Sequence, residues 1–108
     1  MNIEITSRNV KPSKELISFV KEKIQNLIKY DSGIIRAKVI LLKESRAEKV
    51  EIIINSKYTQ YITKCYSSAF EKTILHAIEN IKNQISKKLT YKDRIVRKID
   101  LEEIVLDK

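Results

Sequence analysis

The sequence predicts one α+β domain in which four strands and two helices follow one another in the order β-α-β-β-β-α. Three observations predict this fold. Four segments alternate apolar and polar side chains, which is the period of a half-buried strand. Two segments repeat apolar residues every three or four positions, which is the period of an amphipathic helix. One glycine and one proline in 108 residues leave few breaks, so long regular elements are expected.

The four strands are predicted over residues 2–6, 34–43, 49–55 and 59–66. Because a helix separates the first two strands, we expect them to be parallel through a right-handed crossover. Short links make the last three strands antiparallel neighbours. One face of the second strand is expected to carry Ile35, Ala37, Val39 and Leu41.

Two amphipathic helices are predicted over residues 14–30 and 67–89. Pro12 disfavours helical geometry at the residue before it, so the first helix begins afterwards, with Ser13 as its N-cap. Gly33 suits the left-handed residue that follows a helix. Both apolar stripes have to be buried on one face of the sheet. The helices therefore lie side by side, with lysines from both flanking one groove.

Positive charge is concentrated late in the chain. The formal net charge is +8, and residues 82–98 alone carry seven basic side chains against the single Asp93. The seven cations are Lys82, Lys87, Lys88, Lys92, Arg94, Arg97 and Lys98. Such a segment is either a solvated, solubilising surface or a polyanion-binding surface. A helix dipole explains cations in the last helical turn but not beyond it, so phosphate contact explains the run better.

The sequence shows no catalytic or metal-binding pattern. His76 is the only histidine and lies on the polar face of the second helix, where a surface role is expected. Cys65 has no second cysteine and no nearby base, so we expect a packed side chain. One glycine cannot build a glycine-rich phosphate loop. We therefore predict no enzyme activity, no cofactor, no metal and no small-molecule substrate.

Nothing in the sequence indicates export or membrane insertion. The first residues are polar and lead directly into a strand. No apolar run approaches the roughly 20 residues that cross a bilayer. We expect a soluble, cytoplasmic protein without membrane contact.

Recognition of nucleic acid is expected to follow the shape of the phosphate backbone. The sequence has no zinc-finger or basic-zipper pattern and no paired stacking aromatics on a middle strand. Tyr58, Tyr61 and Tyr66 either stack on bases or pack at the sheet, and packing is the commoner role.

Several segments resemble the ribosome hibernation promoting factor and ribosome-associated translation inhibitor family. The opening IEITSRNV, residues 3–10, is similar to the family's first strand, which ends in Thr, Gly or Ser, Lys or Arg, and Asn. Residues 20–24 and 27–30 follow its first helix, and residues 39–44 and 49–52 its middle hairpin. The resemblance covers residues 1 to about 92. It implies a four-stranded sheet with two helices packed on one face, as in double-stranded-RNA-binding domains.

The resemblance also implies a function. Family members bind rRNA of the small ribosomal subunit at the decoding region, block mRNA and tRNA, and protect idle ribosomes in starvation or stationary phase. Long forms add a domain that pairs ribosomes, and this chain resembles the short form. Residues 1–92 are then the ribosome-binding domain. Residues 93–108 are a basic-then-acidic tail, which from residue 95 pairs as an edge strand, forms a short helix or stays mobile.

Nine cations are predicted to contact rRNA. Six are carried over by position from the family, namely Arg8, Lys23, Lys29, Lys87, Lys88 and Lys92. Lys21, Lys82 and Arg94 are added on geometry and charge. The chain departs from the family at residues 67–70, where an acidic-X-Tyr opening is usual, and at residues 80–85, where two usual cations are missing. These departures affect contacts in the middle of the second helix.

Two other classes of function are compatible with the residues alone. A general structured-RNA-binding module would bind any RNA duplex with comparable affinity. A protein adaptor would dock an acidic partner on the basic run, and its complex would survive nuclease. We expect the small ribosomal subunit or the whole ribosome to be the partner, and the protein to be monomeric away from it.

Overall fold

The computed structural model describes residues 1–57 and 59–101, and it describes side chains as far as residue 87. The strands are β1 (Asn2–Arg8), β2 (Ile34–Glu44), β3 (Ala47–Ser56) and β4 (Gln60–Ser67). The helices are α1 (Lys14–Gln25), continued by a 3₁₀ turn (Asn26–Lys29), and α2 (Phe70–Leu101). The predicted order β-α-β-β-β-α is confirmed.

The four strands form one mixed sheet in the order β1-β2-β3-β4. β1 and β2 are parallel, since α1 carries the chain back between them. β2 with β3, and β3 with β4, are antiparallel. The β2–β3 turn is short enough to need a left-handed residue, and Ser45 supplies it with a φ of 57°.

Both helices pack against the same face of the sheet, as predicted. The fully buried apolar side chains of α1, its 3₁₀ turn and α2 include Val20, Ile24, Leu27, Ile74, Ala77 and Ile81. They meet Ala37, Val39 and Leu41 of β2 and Val50, Ile52 and Ile54 of β3 in one core. Each buried aliphatic side chain contributes roughly 1.5–3 kcal/mol, so this face accounts for most of the hydrophobic stabilisation.

The predicted shared face of Ile35, Ala37, Val39 and Leu41 on β2 is wrong at its first member. A β-bulge lies between Ile34 and Arg36, where the register with β3 shifts. The extra residue changes the alternation, so Ile34 is buried and Ile35 is 55% exposed. From Ala37 onwards the predicted face is correct, because the register is regular there.

The ends of α1 confirm one prediction and contradict another. The Ser13 hydroxyl accepts a hydrogen bond from the Leu16 N–H at 3.1 Å, so Ser13 is the N-cap. Gly33 does not adopt a positive φ, and the predicted left-handed cap is wrong. The chain instead tightens into the 3₁₀ turn, and Gly33 is buried where its carbonyl accepts from the Lys57 N–H at 2.9 Å.

α2 begins later and ends later than predicted. Ser67 closes β4, and the helix starts at Phe70, whose N–H donates to the Glu48 carboxylate of β3 at 2.7 Å. A carboxylate at a helix N-terminus satisfies a free amide and complements the dipole. The helix continues past residue 89 to Leu101. Residues 95–101 therefore do not pair as an edge strand, and the expectations for 102–108 lie outside the described residues.

Two amides of α2 cover the outer edge of β4. Gln84 donates to the Ile62 carbonyl at 2.8 Å and accepts from the Ile62 N–H at 3.3 Å. One turn earlier, Asn80 donates to the Thr63 hydroxyl at 3.1 Å. Unpaired strand edges are templates for aggregation, so these contacts protect the edge as well as fix the helix.

Replacement of Gln84 with alanine is expected to lower the free energy of unfolding by about 1 kcal/mol, because two hydrogen bonds to an exposed backbone are lost. The same change is expected to increase aggregation on heating, since the β4 edge is uncovered. Urea unfolding and light scattering measure the two effects. Asn83→Ala, on the exposed side of the same helix turn, is the matched control. Equal behaviour of the two variants would contradict the edge-covering role.

Candidate RNA-binding surface

Helix α1 carries its cations on two different sides. Lys21 and Lys29 are exposed, whereas Lys23 is half-buried beside the apolar stripe. At 100° per residue, Lys23 falls on the same flank as Phe19 and Tyr30, and Lys21 falls on the opposite flank. The Lys23 ammonium lies 5.4 Å from the centre of the Phe19 ring, which confirms their proximity.

Lys82 of α2 reaches across to the end of α1. Its ammonium lies 5.2 Å from the centre of the Tyr30 ring, the residue that follows the 3₁₀ turn. Cations within about 6 Å of an aromatic face are attracted by its negative charge density. This contact places Tyr30, at the C-terminal end of the flank that carries Phe19 and Lys23, against α2. Lys23 and Lys82 therefore face the groove between the helices, as predicted, while Lys21 does not.

The remaining predicted cations of α2 lie along one continuous helix. Lys87 is exposed, just beyond Ile85, the last core residue of the described side chains. Lys88, Lys92 and Arg94 are on the helical backbone, and their side chains lie outside the described part. At 1.5 Å per residue, residues 86–101 extend the helix by about 24 Å beyond Ile85. The basic run, residues 82–98, thus lies on one continuous helix.

Arg8 is separated from the other candidates. It is the last residue of β1, exposed, and in register with Leu42. Because Ile3 and Ile5 point towards the core, the alternation assigns Arg8 to the face opposite the helices. The nine predicted residues therefore do not form one patch, and Arg8 belongs to a second surface.

That opposite face of the sheet is open and of mixed charge. Arg36 lies 3.8 Å from Glu4, and Lys49 pairs with Glu44 across the β2–β3 turn. The Glu44 carboxylate raises the pKa of Lys49 above its usual range, by hydrogen bonding and by charge attraction. Exposed pairs of this kind contribute little to stability. Their acidic partners also weaken the attraction of this face for a polyanion.

The tyrosines divide between packing and exposure. Tyr61 is buried and donates to the Asp31 carboxylate at 2.8 Å, so it packs rather than stacks on bases. Tyr66 is 72% exposed on β4, and Tyr58 lies outside the described residues. Tyr30 was missed as a candidate, although its position on the flank beside Lys23 is readable from helical spacing. What the sequence could not show is that this flank faces Lys82.

The other chemistry-bearing side chains occupy ordinary places. His76 is exposed on α2, and Cys65 is half-buried against the core, both as expected. Within residues 1–57 and 59–101, and for side chains as far as residue 87, no three His, Cys, Asp or Glu side chains are grouped to hold a metal ion. In the same ranges no helix combines the length and apolarity needed to cross a bilayer.

The protein is a small basic α+β domain. It has a mixed four-stranded sheet with two helices on one face, and its cations lie at the groove between the helices and along an extended helix. Residues 3–95 match the family described as sigma 54 modulation protein / S30EA ribosomal protein. The chain belongs to that family. A comparison with curated proteins finds no match.

Two solved structures show the same fold. A ribosomal subunit interface protein from Coxiella burnetii has 18% sequence identity and a TM-score of 0.78, and the match covers 83% of this chain and 99% of that one. The N-terminal domain of Protein Y from Thermus thermophilus has 22% identity and a TM-score of 0.75, with 81% and 98% covered.

Proposed function

We propose that the protein is a ribosome-associated translation inhibitor, or hibernation factor. It binds rRNA of the small ribosomal subunit at the decoding region and blocks mRNA and tRNA binding in starvation or stationary phase. The observation that carries this proposal is the family match over residues 3–95. The Coxiella burnetii protein that shares this fold is a ribosomal subunit interface protein, which supports a role at the ribosome.

The surface suits a structured RNA. Cations from two helices, Lys23 and Lys82, face one groove, and α2 then carries Lys87, Lys88 and Lys92 beyond the core. Neutralising several phosphates gives strong but salt-sensitive binding without base readout. We assign the rRNA contacts to these residues together with Lys21, Lys29 and Arg94, and we assign a separate contact to Arg8. The protein acts in the cytoplasm and is monomeric off the ribosome.

Co-sedimentation with purified small subunits tests the proposal. We expect binding at low salt that is lost as salt is raised, and inhibition of translation in a cell-free system. Pelleting with large subunits alone is the control. A protein that stays in the supernatant at every salt concentration would sink the proposal.

A competition experiment separates ribosome binding from general RNA binding. An RNA duplex in excess is expected to leave the protein on small subunits, because the subunit presents several phosphate surfaces in a fixed arrangement. If duplex RNA displaces the protein in proportion to its phosphate concentration, the chain is a general structured-RNA-binding module instead.

A further inference from the structure

Tyr30 is an exposed aromatic residue on a rigid corner of the protein. Its side chain is 45% exposed, yet its backbone is fixed. The N–H groups of Tyr30 and Asp31 both donate to the Leu27 carbonyl, at 2.9 and 3.2 Å, and Leu27 is fully buried. Asp31 in turn accepts from the Tyr61 and Ser56 hydroxyls, each at 2.8 Å. The backbone that carries the Tyr30 ring is therefore held in a fixed position.

The backbone of Lys82 is anchored equally well, and its ammonium carries an un-neutralised charge among the described contacts. Ile81 and Ile85, on either side of it, are buried in the core, so this turn of α2 cannot shift. Within the described part of the chain, no carboxylate lies within ion-pair distance of Lys82, whereas Lys43 and Lys49 each have one. Its ammonium rests on the Tyr30 ring, which attracts a cation without neutralising its charge.

We propose that Tyr30 is a positioning residue for RNA binding: its ring holds the Lys82 ammonium at the end of α1, so that cations of both helices meet one stretch of phosphate backbone. This inference rests on the proposed function. A long lysine side chain loses rotamer freedom when it binds a phosphate, and a side chain that is already ordered loses less. The ring thus increases affinity while the charge comes from Lys82.

The same arrangement recurs earlier on this flank. Phe19 is half-buried and its ring lies 5.4 Å from the Lys23 ammonium. Two lysines that face the groove between the helices are therefore each held by an aromatic ring. The repetition along one flank indicates that the groove is lined by ordered cations.

Binding of small subunits by Tyr30 variants, measured over a range of salt, tests the inference. We expect Tyr30→Phe to bind like the wild type, because the ring is kept. We expect Tyr30→Leu to bind roughly two- to fivefold more weakly, as for the loss of one exposed cation–aromatic contact. Tyr66→Leu removes a more exposed ring that holds no cation among the described contacts, and it is expected to leave affinity unchanged.

A double-mutant cycle shows whether Tyr30 acts through Lys82. In a Lys82→Gln background, Tyr30→Leu is expected to cause no further loss, since the positioned charge is already absent. Equal losses in both backgrounds, or no loss from Tyr30→Leu alone, would overturn the inference. A purely structural role for Tyr30 would weaken binding in both backgrounds and lower the unfolding midpoint.

The free protein gives a readout that does not depend on ribosomes. The ring current of Tyr30 is expected to shift the NMR signals of the Lys82 methylene protons next to the ammonium upfield, and Tyr30→Leu is expected to abolish that shift. If the shift is present but the wild-type protein does not bind small subunits, the proposed function fails and the contact stands. If the shift is absent in the wild type, the positioning role fails whatever the ribosome binding.

Discussion

Replacement of Asp31 with alanine is expected to lower the free energy of unfolding by about 3 kcal/mol, which is a large part of the stability of a domain of this size. Asp31 is buried, and its carboxylate accepts hydrogen bonds from the Gly33 N–H and from the Ser56 and Tyr61 hydroxyls, each at 2.8 Å. These donors come from the turn before β2, from β3 and from β4. The change therefore removes the acceptor that joins three elements at one corner.

Chemical unfolding of a small set of variants measures the effect. Tyr61→Phe removes one of the three donors and is expected to cost about 1–1.5 kcal/mol. Tyr66→Phe is the matched control, because this hydroxyl is on an exposed side chain and its loss should change stability by less than about 0.5 kcal/mol. If Asp31→Ala were no more destabilising than Tyr66→Phe, the carboxylate would not be an organising contact.

The hydrogen bond between Tyr61 and Asp31 also predicts a loss of stability at alkaline pH. Burial, followed by the hydrogen bond and charge of Asp31, raises the pKa of Tyr61 well above its usual value near 10. Because the pKa is raised in the folded state, protonated Tyr61 contributes its full stabilisation of the fold below about pH 10. This stabilisation is lost as the pH rises towards the folded-state pKa. Urea unfolding between pH 8 and 11 should show this decline, and Tyr61→Phe should make it shallower. Parallel curves for the two proteins would contradict the assignment.

The elements of the fold were predictable where local pattern and tertiary packing agree. Alternation predicted the strands, and the spacing after Pro12 predicted the cap at Ser13, because both depend on neighbouring residues. Ile35 was misplaced because a bulge is set by pairing with β3, which the residue itself does not encode. Gly33 was misjudged for a related reason. Its N–H donates to the side chain of Asp31, and its carbonyl accepts from the N–H of Lys57, which is distant in sequence.

The candidate site was predictable in charge but not in arrangement. Helical spacing placed Lys23 beside Phe19 and Tyr30, and the structure confirms that Lys23 lies beside Phe19. Which flank faces the second helix depends on how the helices pack, so the contact between Lys82 and Tyr30 could not be read from the sequence. Strand alternation could have separated Arg8 from the helix cations, had β1 been extended to include it. The end of α2 was placed too early because its lysines resemble a terminal helical turn.

Replacement of Lys87, Lys88 and Lys92 with alanine is expected to have the largest effect on ribosome binding. The three residues lie on the part of α2 beyond Ile85, the last core residue among the described side chains. If each contacts one phosphate, the log–log salt slope of binding should fall by up to about three. Affinity near physiological salt should fall about a hundredfold, since the counterions of three phosphates are no longer released.

The matched control for this triple variant removes the same charge elsewhere. Lys38 and Lys64 are exposed on the open face of the sheet and Lys57 is exposed on the β3–β4 turn, so none of the three belongs to a helix. Their replacement with alanine also lowers the net charge by three, so it reproduces any effect of overall charge on the encounter with an anionic ribosome. We expect the control to slow association without changing the salt slope by more than about one. An equal loss of slope in both triple variants would mean that net charge, rather than the extended helix, holds the protein on RNA. An unchanged slope in the α2 variant would mean that these three lysines do not touch phosphate, and the binding surface would then be the groove between the helices.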